Sequence, residues 1–252
     1  MRGDINNFWI AADWPAPSWI KAGTTLRQPG LSLPPYAGLN LAEHVGDELE
    51  PVERNRSLLQ QELQLPSSPL WLQQVHGIKT ISSDDWFSNI TADACYTGQM
   101  NVVCAILTAD CLPLFLCNKE GSQVAVVHIG WRGFCANILD EAVASYDVDN
   151  SNILAWIGPH IHSENYEVGD EVRKACLEAS PGTDHAFTYP HQGLWQASLD
   201  TLVRHQLIKL GISMVYGCDL CTFEEQTKFF SYRREPITGR MASLIWMESS
   251  KT

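Results

Sequence analysis

The sequence predicts a single mixed α/β (α+β) domain over residues 1–252, and three observations carry that expectation. Short apolar runs rich in β-formers alternate with segments whose leucines repeat at helical spacing. No repeat, low-complexity tract or Pro/Gly/Ser-rich linker divides the chain. Its 252 residues, 45% of them hydrophobic, suffice for one sizeable core.

In chain order, the Pro-rich stretches 14–17 and 33–36 read as loops. The spacing predicts a helix over 51–65: Pro51 suits a first turn, Leu58, Leu59 and Leu63 share a face, and Pro66 lies beyond the end. Residues 69–76 read as a strand ending at Gly77. The runs 102–107, 112–117 and 124–128 read as buried strands. Residues 133–146 follow as a helix, with Ile138, Leu139, Ala142 and Val143 on one side, and 153–157 as a further strand. Two amphipathic helices are expected over 167–179 and 197–210. The second turns Leu199, Leu202, Val203, Leu207 and Leu210 inward and stops at Gly211. Strand-like pieces over 229–246 are broken at Pro236 and Gly239.

A net charge of −12 argues against a nucleic-acid or anionic-membrane binder, which needs a basic face. A locally basic pocket for an anionic small molecule remains compatible with it. The first ten residues carry no apolar stretch behind a basic start, and no apolar run approaches the ~18 residues of a membrane span. A reducing, cytoplasmic setting is therefore expected. Eight cysteines are far fewer than the ~8–10% of a disulfide scaffold, so each is core filling or chemistry.

Three segments share one design: an apolar strand, a polar metal-competent residue at its end, then a turn. They are Gln73-Gln74-Val75-His76-Gly77, Thr108-Ala109-Asp110-Cys111-Leu112-Pro113 and Val126-Val127-His128-Ile129-Gly130-Trp131-Arg132-Gly133. Loops beyond strand ends converge on one crevice in α/β sheets, so His76, Cys111 and His128 could meet there. Two imidazoles and a thiolate suit zinc with the fourth position open. The same Cys and His could instead be a metal-free nucleophile and its base, or satisfied core residues. Gly130 to Gly133 marks a strand-to-helix turn where free N–H groups and Arg132 would bind an anion; a structural turn with a solvated Arg132 is the alternative. Asp110 could orient a histidine, work as general acid/base, or serve a turn. Cys218-Asp219-Leu220-Cys221 is a lone C-x-x-C without a second pair. His160-Ile161-His162 is the single His-x-His of the chain and reads as a loop near the site.

These residues lie within longer blocks in fixed order. They are Leu33-Pro34-Pro35-Tyr36-Ala37-Gly38-Leu39-Asn40-Leu41-Ala42-Glu43-His44-Val45-Gly46-Asp47, Asn55-Arg56, Gln74 to Gly77, Ala92-Asp93-Ala94 and Thr108 to Cys111. His128 to Gly133, Gly158-Pro159, Cys221-Thr222 and Phe229-Phe230-Ser231-Tyr232-Arg233-Arg234 complete the set. On them the chain resembles the YfiH-like family, also called laccase-domain, multicopper polyphenol oxidase or peptidoglycan editing factor proteins. The resemblance implies a single layered α/β sandwich and a metal triad of His76, Cys111 and His128. It also implies zinc-dependent phosphorolysis of adenosine, inosine, guanosine and methylthioadenosine, with deamination of adenosine. An editing role on peptidoglycan precursors and an older phenol-oxidase label come with it. The chain departs from the family pattern at Pro29, Ile129, His162 and Glu235, of which Ile129 and His162 could alter pocket shape or substrate preference.

Counting weighs against phenol oxidation. A multicopper oxidase needs a trinuclear cluster rich in His-x-His pairs, and eight histidines with one such pair cannot furnish it, although one His2Cys site could hold copper. For nucleoside chemistry, Arg132 with Arg56 or Arg233 would hold phosphate, Trp131 would stack on the base, and Asp93 or Asp110 would carry the proton. The expected partners are small molecules, a purine nucleoside and phosphate. An amide hydrolase acting on a cell-wall precursor through Cys111 or an activated water is the alternative. A zinc-stabilised interaction protein is a third.

Overall fold

A computed structural model describes residues 8–191 and 193–249, so the expectation about the extreme N-terminus lies largely outside the described residues. The elements run β1 (Trp9–Ala11), β2 (Ile20–Thr25), α1 (Leu49–Glu62), β3 (Thr80–Ser82), β4 (Ala94–Thr97), β5 (Cys104–Thr108), β6 (Leu112–Asn118) and β7 (Val124–Ile129). Then come α2 (Trp131–Cys135), α3 (Ile138–Val143), β8 (Ile153–Ile157), β9 (Glu167–Gly169) and α4 (Asp170–Ala179). The chain closes with β10 (Phe187–His191), β11 (Leu194–Ala197), α5 (Leu199–Lys209), β12 (Met214–Gly217) and β13 (Met241–Met247). No described helix is long and apolar enough to cross a membrane.

Two main sheets stack face to face. The larger has the order β12-β8-β6-β7-β4-β3, with parallel pairs at its two edges and antiparallel ladders between them. The smaller, β1-β2-β13-β5, is antiparallel throughout. A three-stranded ribbon, β10-β11-β9, stands apart from both. Alternation along the strands sorts their side chains. Leu112, Leu114 and Leu116 of β6 and Ala125, Val127 and Ile129 of β7 face a layer built from α2, α3, α4 and α5. Phe115, Cys117, Val124 and Val126 face the smaller sheet, where they meet Ile20, Ile106 and Ile245. On the outer side of that sheet, α1 packs Leu59 against Val103, Ala105 and Leu244. The order is thus helix, sheet, sheet, helices, the layered mixed α/β domain expected. Strands covered on both faces read as continuous apolar runs, and every residue of β5, β6, β7, β8 and β13 is buried.

Four expected elements differ. Of the strand-like pieces expected over 229–246, only β13 is a strand, and 229–240 runs as turns and loop. Residues 69–76 form an extended segment with single bridges from Leu70 to Cys104 and Gln73 to Thr91, not a strand. Side chains replace the ladder there: the Gln74 amide both donates to and accepts from the Leu107 backbone. The helix expected over 133–146 is two short helices, because Asn137 adopts a left-handed φ of 71° between α2 and α3. The segment 167–179 opens as β9 before α4 begins at Asp170. By contrast, α5 follows the pattern. The Ser198 hydroxyl caps it by accepting from the Thr201 N–H, and Gly211 takes φ 89° just beyond its end.

The loop 31–41 is held to α1 by one buried side chain. Asn55 accepts from the Leu31 N–H, and its amide nitrogen lies within 3.2 Å of Ser32 Oγ and the Gly38 and Asn40 carbonyls. Asn55→Ala removes all of these partners from buried polar groups, each worth ~1–3 kcal/mol when left unsatisfied. Urea unfolding should show a loss of ~3 kcal/mol or more; a loss below ~1 kcal/mol would deny Asn55 this part.

Candidate metal centre

The ladder registers bring the centre together. β6 and β7 pair with Leu112 opposite Ile129, so Cys111, just before β6, and His128, near the end of β7, emerge at the same end of the sheet. Both share the alternation parity of the face turned towards the smaller sheet. On the other side of β7, β4 pairs Ala94 with Val127, and the His128 N–H donates to the Asp93 carbonyl at 2.8 Å. Asp93 therefore sits beside His128, and its buried carboxylate accepts from the imidazole Nδ1 at 2.8 Å. The same carboxylate accepts the backbone N–H groups of Val75, His76 and Gly77 at 3.2, 2.9 and 2.7 Å. It thereby holds the turn that carries His76, whose φ of 58° is left-handed.

His76, Cys111 and His128 offer ligand atoms that all lie within 4.8 Å of one another, the single such group among the described residues. Cys111 Sγ is 3.8 Å from His76 Nε2, and the two imidazoles meet edge to face at 4.7 Å. The donor set fits a soft or borderline metal. Two imidazoles and one thiolate supply three ligands, and Asp93 fixes one ring's tautomer so that its Nε2 faces the centre. Burial raises the Cys111 thiol, but the His128 charge and hydrogen bonds from both imidazoles outweigh it and bring it to about 6. Burial lowers His128, yet the Cys111 and Asp93 charges raise it to about 9. Each charge favours the other, so in the absence of a metal the shifts favour a thiolate beside an imidazolium near neutral pH. Gly130 gives the ligands room: a Cβ there would stand 2.9 Å from His76 Cδ2 and 3.2 Å from Cys111 Sγ.

The triad opens into a cavity of about 410 Å³ that also has Arg132, Arg240, His44 and Tyr232 on its walls. A larger cavity of about 680 Å³ adjoins it through His44, Gln74 and Leu107, and is lined by Trp71, Trp86 and Arg56. The expected carboxylates sit elsewhere. Asp93 is wholly buried with its oxygens engaged, and Asp110, at φ 88°, accepts from Thr222 Oγ1 and the Arg233 N–H. Asp93 holds the His76 turn and the His128 ring, Asp110 ties together the segments of Thr222 and Arg233, and neither lines the metal cavity. Arg56 is outside it too: it donates to Leu41 and Glu43 and lies 4.4 Å over the Trp71 ring. Arg233 donates to the Glu167 carbonyl and lines a small recess of about 110 Å³ beside Cys111.

Arg132 does reach the cavity, but α2 is five residues long, so the anion site expected at a helix start reduces to this one guanidinium. Trp131 supports it from 4.5 Å and is absent from the cavity wall. Ile129 faces the helix layer, and His160 and His162 line a separate cavity of about 340 Å³, so neither departure is on the wall of the metal cavity. Cys221 is buried and accepts from the His162 N–H, a structural thiol. Arg240 and His44 line this cavity although the sequence did not single them out. His44 lies in the block 33–47, whereas no local pattern marks Arg240, which reaches the cavity only because β13 returns beside β5.

Two imidazoles and a thiol gathered between two sheets and open to a cavity make a candidate metal centre of a kind that suits a small-molecule substrate. Residues 21–248 match the family model described as multi-copper polyphenol oxidoreductase laccase, and the chain belongs to this laccase-domain, YfiH-like family. It is 44% identical over 239 residues to the purine nucleoside phosphorylase YfiH of Shigella flexneri, covering 94% of this chain and 98% of that one. The protein of the same name from Escherichia coli K12 is 43% identical over the same length, with equal coverage. Among solved structures, a Neisseria meningitidis protein of family DUF152 aligns with a TM-score of 0.93 at 39% identity, over 97% of this chain and 100% of its own. YlmD from Geobacillus stearothermophilus also reaches 0.93, at 28% identity and 98% of each chain.

In metal-free protein, alkylation of Cys111 by iodoacetamide should rise with pH around a midpoint near 6, because the thiolate forms as pH climbs through that value. Asp93→Asn weakens the partner of His128 and should move the midpoint upward. A wild-type midpoint at the ordinary thiol value of ~8.5 would refute the ion pair. Gly130→Ala should keep the fold yet lose ~10–100-fold in zinc affinity, the scale seen when ligand supports are disturbed. Equilibrium dialysis measures this, and unchanged affinity would show that the close approach is unimportant.

Proposed function

We propose that the chain is a purine nucleoside phosphorylase that works with zinc held by His76, Cys111 and His128, and that the same centre deaminates adenosine. One observation carries the reading. Arg132, which follows β7, and Arg240, which precedes β13, reach the walls of the cavity that the triad opens into. Two guanidiniums beside a metal-competent floor suit a phosphate dianion in a chain whose overall charge would repel it. When bound, the metal supplies Lewis-acid chemistry at that floor. Arg132 and Arg240 hold phosphate against C1′ of the sugar. A phosphate oxygen bonds to C1′ as the C1′–N9 bond breaks, the bonding pair leaves with the purine, and the proton of hydrogen phosphate ends on the purine nitrogen. The adjoining cavity with Trp71, Trp86 and the stacked Arg56 offers flat apolar surface for the base. Asp93 acts through His128 and the His76 turn as a positioning residue.

A second reading rests on a different observation. Asp93, His128 and Cys111 stand in the order orienter, base and nucleophile, which is the arrangement of a thiol amide hydrolase. Its substrate would be a cell-wall precursor. If chelation leaves turnover intact while alkylation of Cys111 abolishes it, the second reading holds.

Protein loaded with zinc and supplied with phosphate should convert adenosine to adenine and ribose 1-phosphate, followed by chromatography. Arg240→Gln should lower kcat/KM for phosphate ~10–100-fold, the equivalent of one charge-assisted hydrogen bond of ~1.5–3 kcal/mol. Absence of turnover for every purine nucleoside tried with the metal-loaded protein would sink the proposal.

A further inference from the structure

Two cysteine pairs lie outside the metal centre with sulfurs 3.3 Å apart, and their surroundings differ. Cys95 and Cys104 join the two sheets in the middle of the sandwich, both fully buried. Cys135 is the last residue of α2 and half-buried, while Cys176 lies beneath it on α4, 1% exposed. Thiol exchange needs an attacking sulfur that a reagent can reach and a second sulfur within reach of the first. Only the α2–α4 pair offers both. Closing it requires the sulfurs to approach from 3.3 Å to a bond length of ~2.05 Å, a small movement of side chains on two helices already packed together.

We propose that Cys135 and Cys176 form a reversible dithiol–disulfide centre that reacts with small-molecule disulfides of the glutathione type. The Cys135 thiolate attacks one sulfur of the reagent, forming a mixed disulfide and expelling one thiolate. Cys176 loses its proton to solvent and attacks Cys135 Sγ, closing the protein disulfide and expelling the second thiolate. The protein gives up two electrons, and the reagent takes them as two thiols. The hydrogen bond from Cys176 lowers the Cys135 thiol, while that bond and burial raise Cys176, which matches these roles of attacker and resolver. The closed bond would tie α2, whose second residue Arg132 stands on the wall of the metal cavity, to α4.

The test uses zinc-loaded full-length protein, in which Cys111 is protected, incubated with oxidised glutathione and mapped by peptide mass spectrometry without reduction. The expected wild-type product is a Cys135–Cys176 cross-link that dithiothreitol reverses, with Cys95 and Cys104 still thiols. Cys176→Ala should stop at a mixed disulfide on Cys135, and Cys135→Ala should leave Cys176 unreacted. Thermal melts of the variants confirm folding, and the wild-type map decides the matter alone. Cys135 and Cys176 recovered as free thiols, or Cys135 left as an unresolved mixed disulfide in the wild type, would overturn the proposal.

Discussion

The carboxylate of Asp93 is the constraint on which the centre depends. It has no solvent exposure, yet its oxygens take four donors, three from consecutive backbone amides and one from an imidazole. A buried carboxylate is costly unless its lone pairs are used, and here they are used to place two ligands at once. One comes from a turn in left-handed backbone and the other from the end of a central strand. The third ligand, Cys111, needs no such agent, because the β6–β7 register already sets it beside His128.

That division explains what could be read from residues alone. The triad was legible because each ligand ends an apolar run and precedes a turn. The strands 104–108, 112–118, 124–129 and 153–157 were legible because burial on both faces leaves an unbroken hydrophobic signature. The short strands β1, β3, β4, β9 and β11 were not, since three or four residues give no period to measure. β2 hid for another reason. Its Thr24 and Thr25 look exposed by type, but they are buried, with the Thr24 hydroxyl bonded to that of Ser243 and the Thr25 hydroxyl accepting the Ala242 N–H.

The expected site residues that lie off the metal cavity have one physical feature in common. Asp93, Asp110, Arg56 and Arg233 are polar residues near the right place, and sequence position cannot show where their hydrogen bonds go. Each has backbone partners that tie it to a loop, and none is on the wall of the metal cavity. Arg240 is the converse. It lies far along the chain from every ligand, and only the antiparallel return of β13 beside β5 brings it to the cavity.

The cavity straddles the seam between the sheets. His128 belongs to the larger sheet, and Cys111 sits on the short passage from β5 to β6 that crosses from one sheet to the other. Arg240 enters from the smaller one. The side chains that could hold a metal and one of the guanidiniums that line the cavity thus rest on separate scaffolds. A change in the smaller sheet would therefore bear on the Arg240 side of the cavity while leaving the β6–β7 register that sets Cys111 beside His128 as it is.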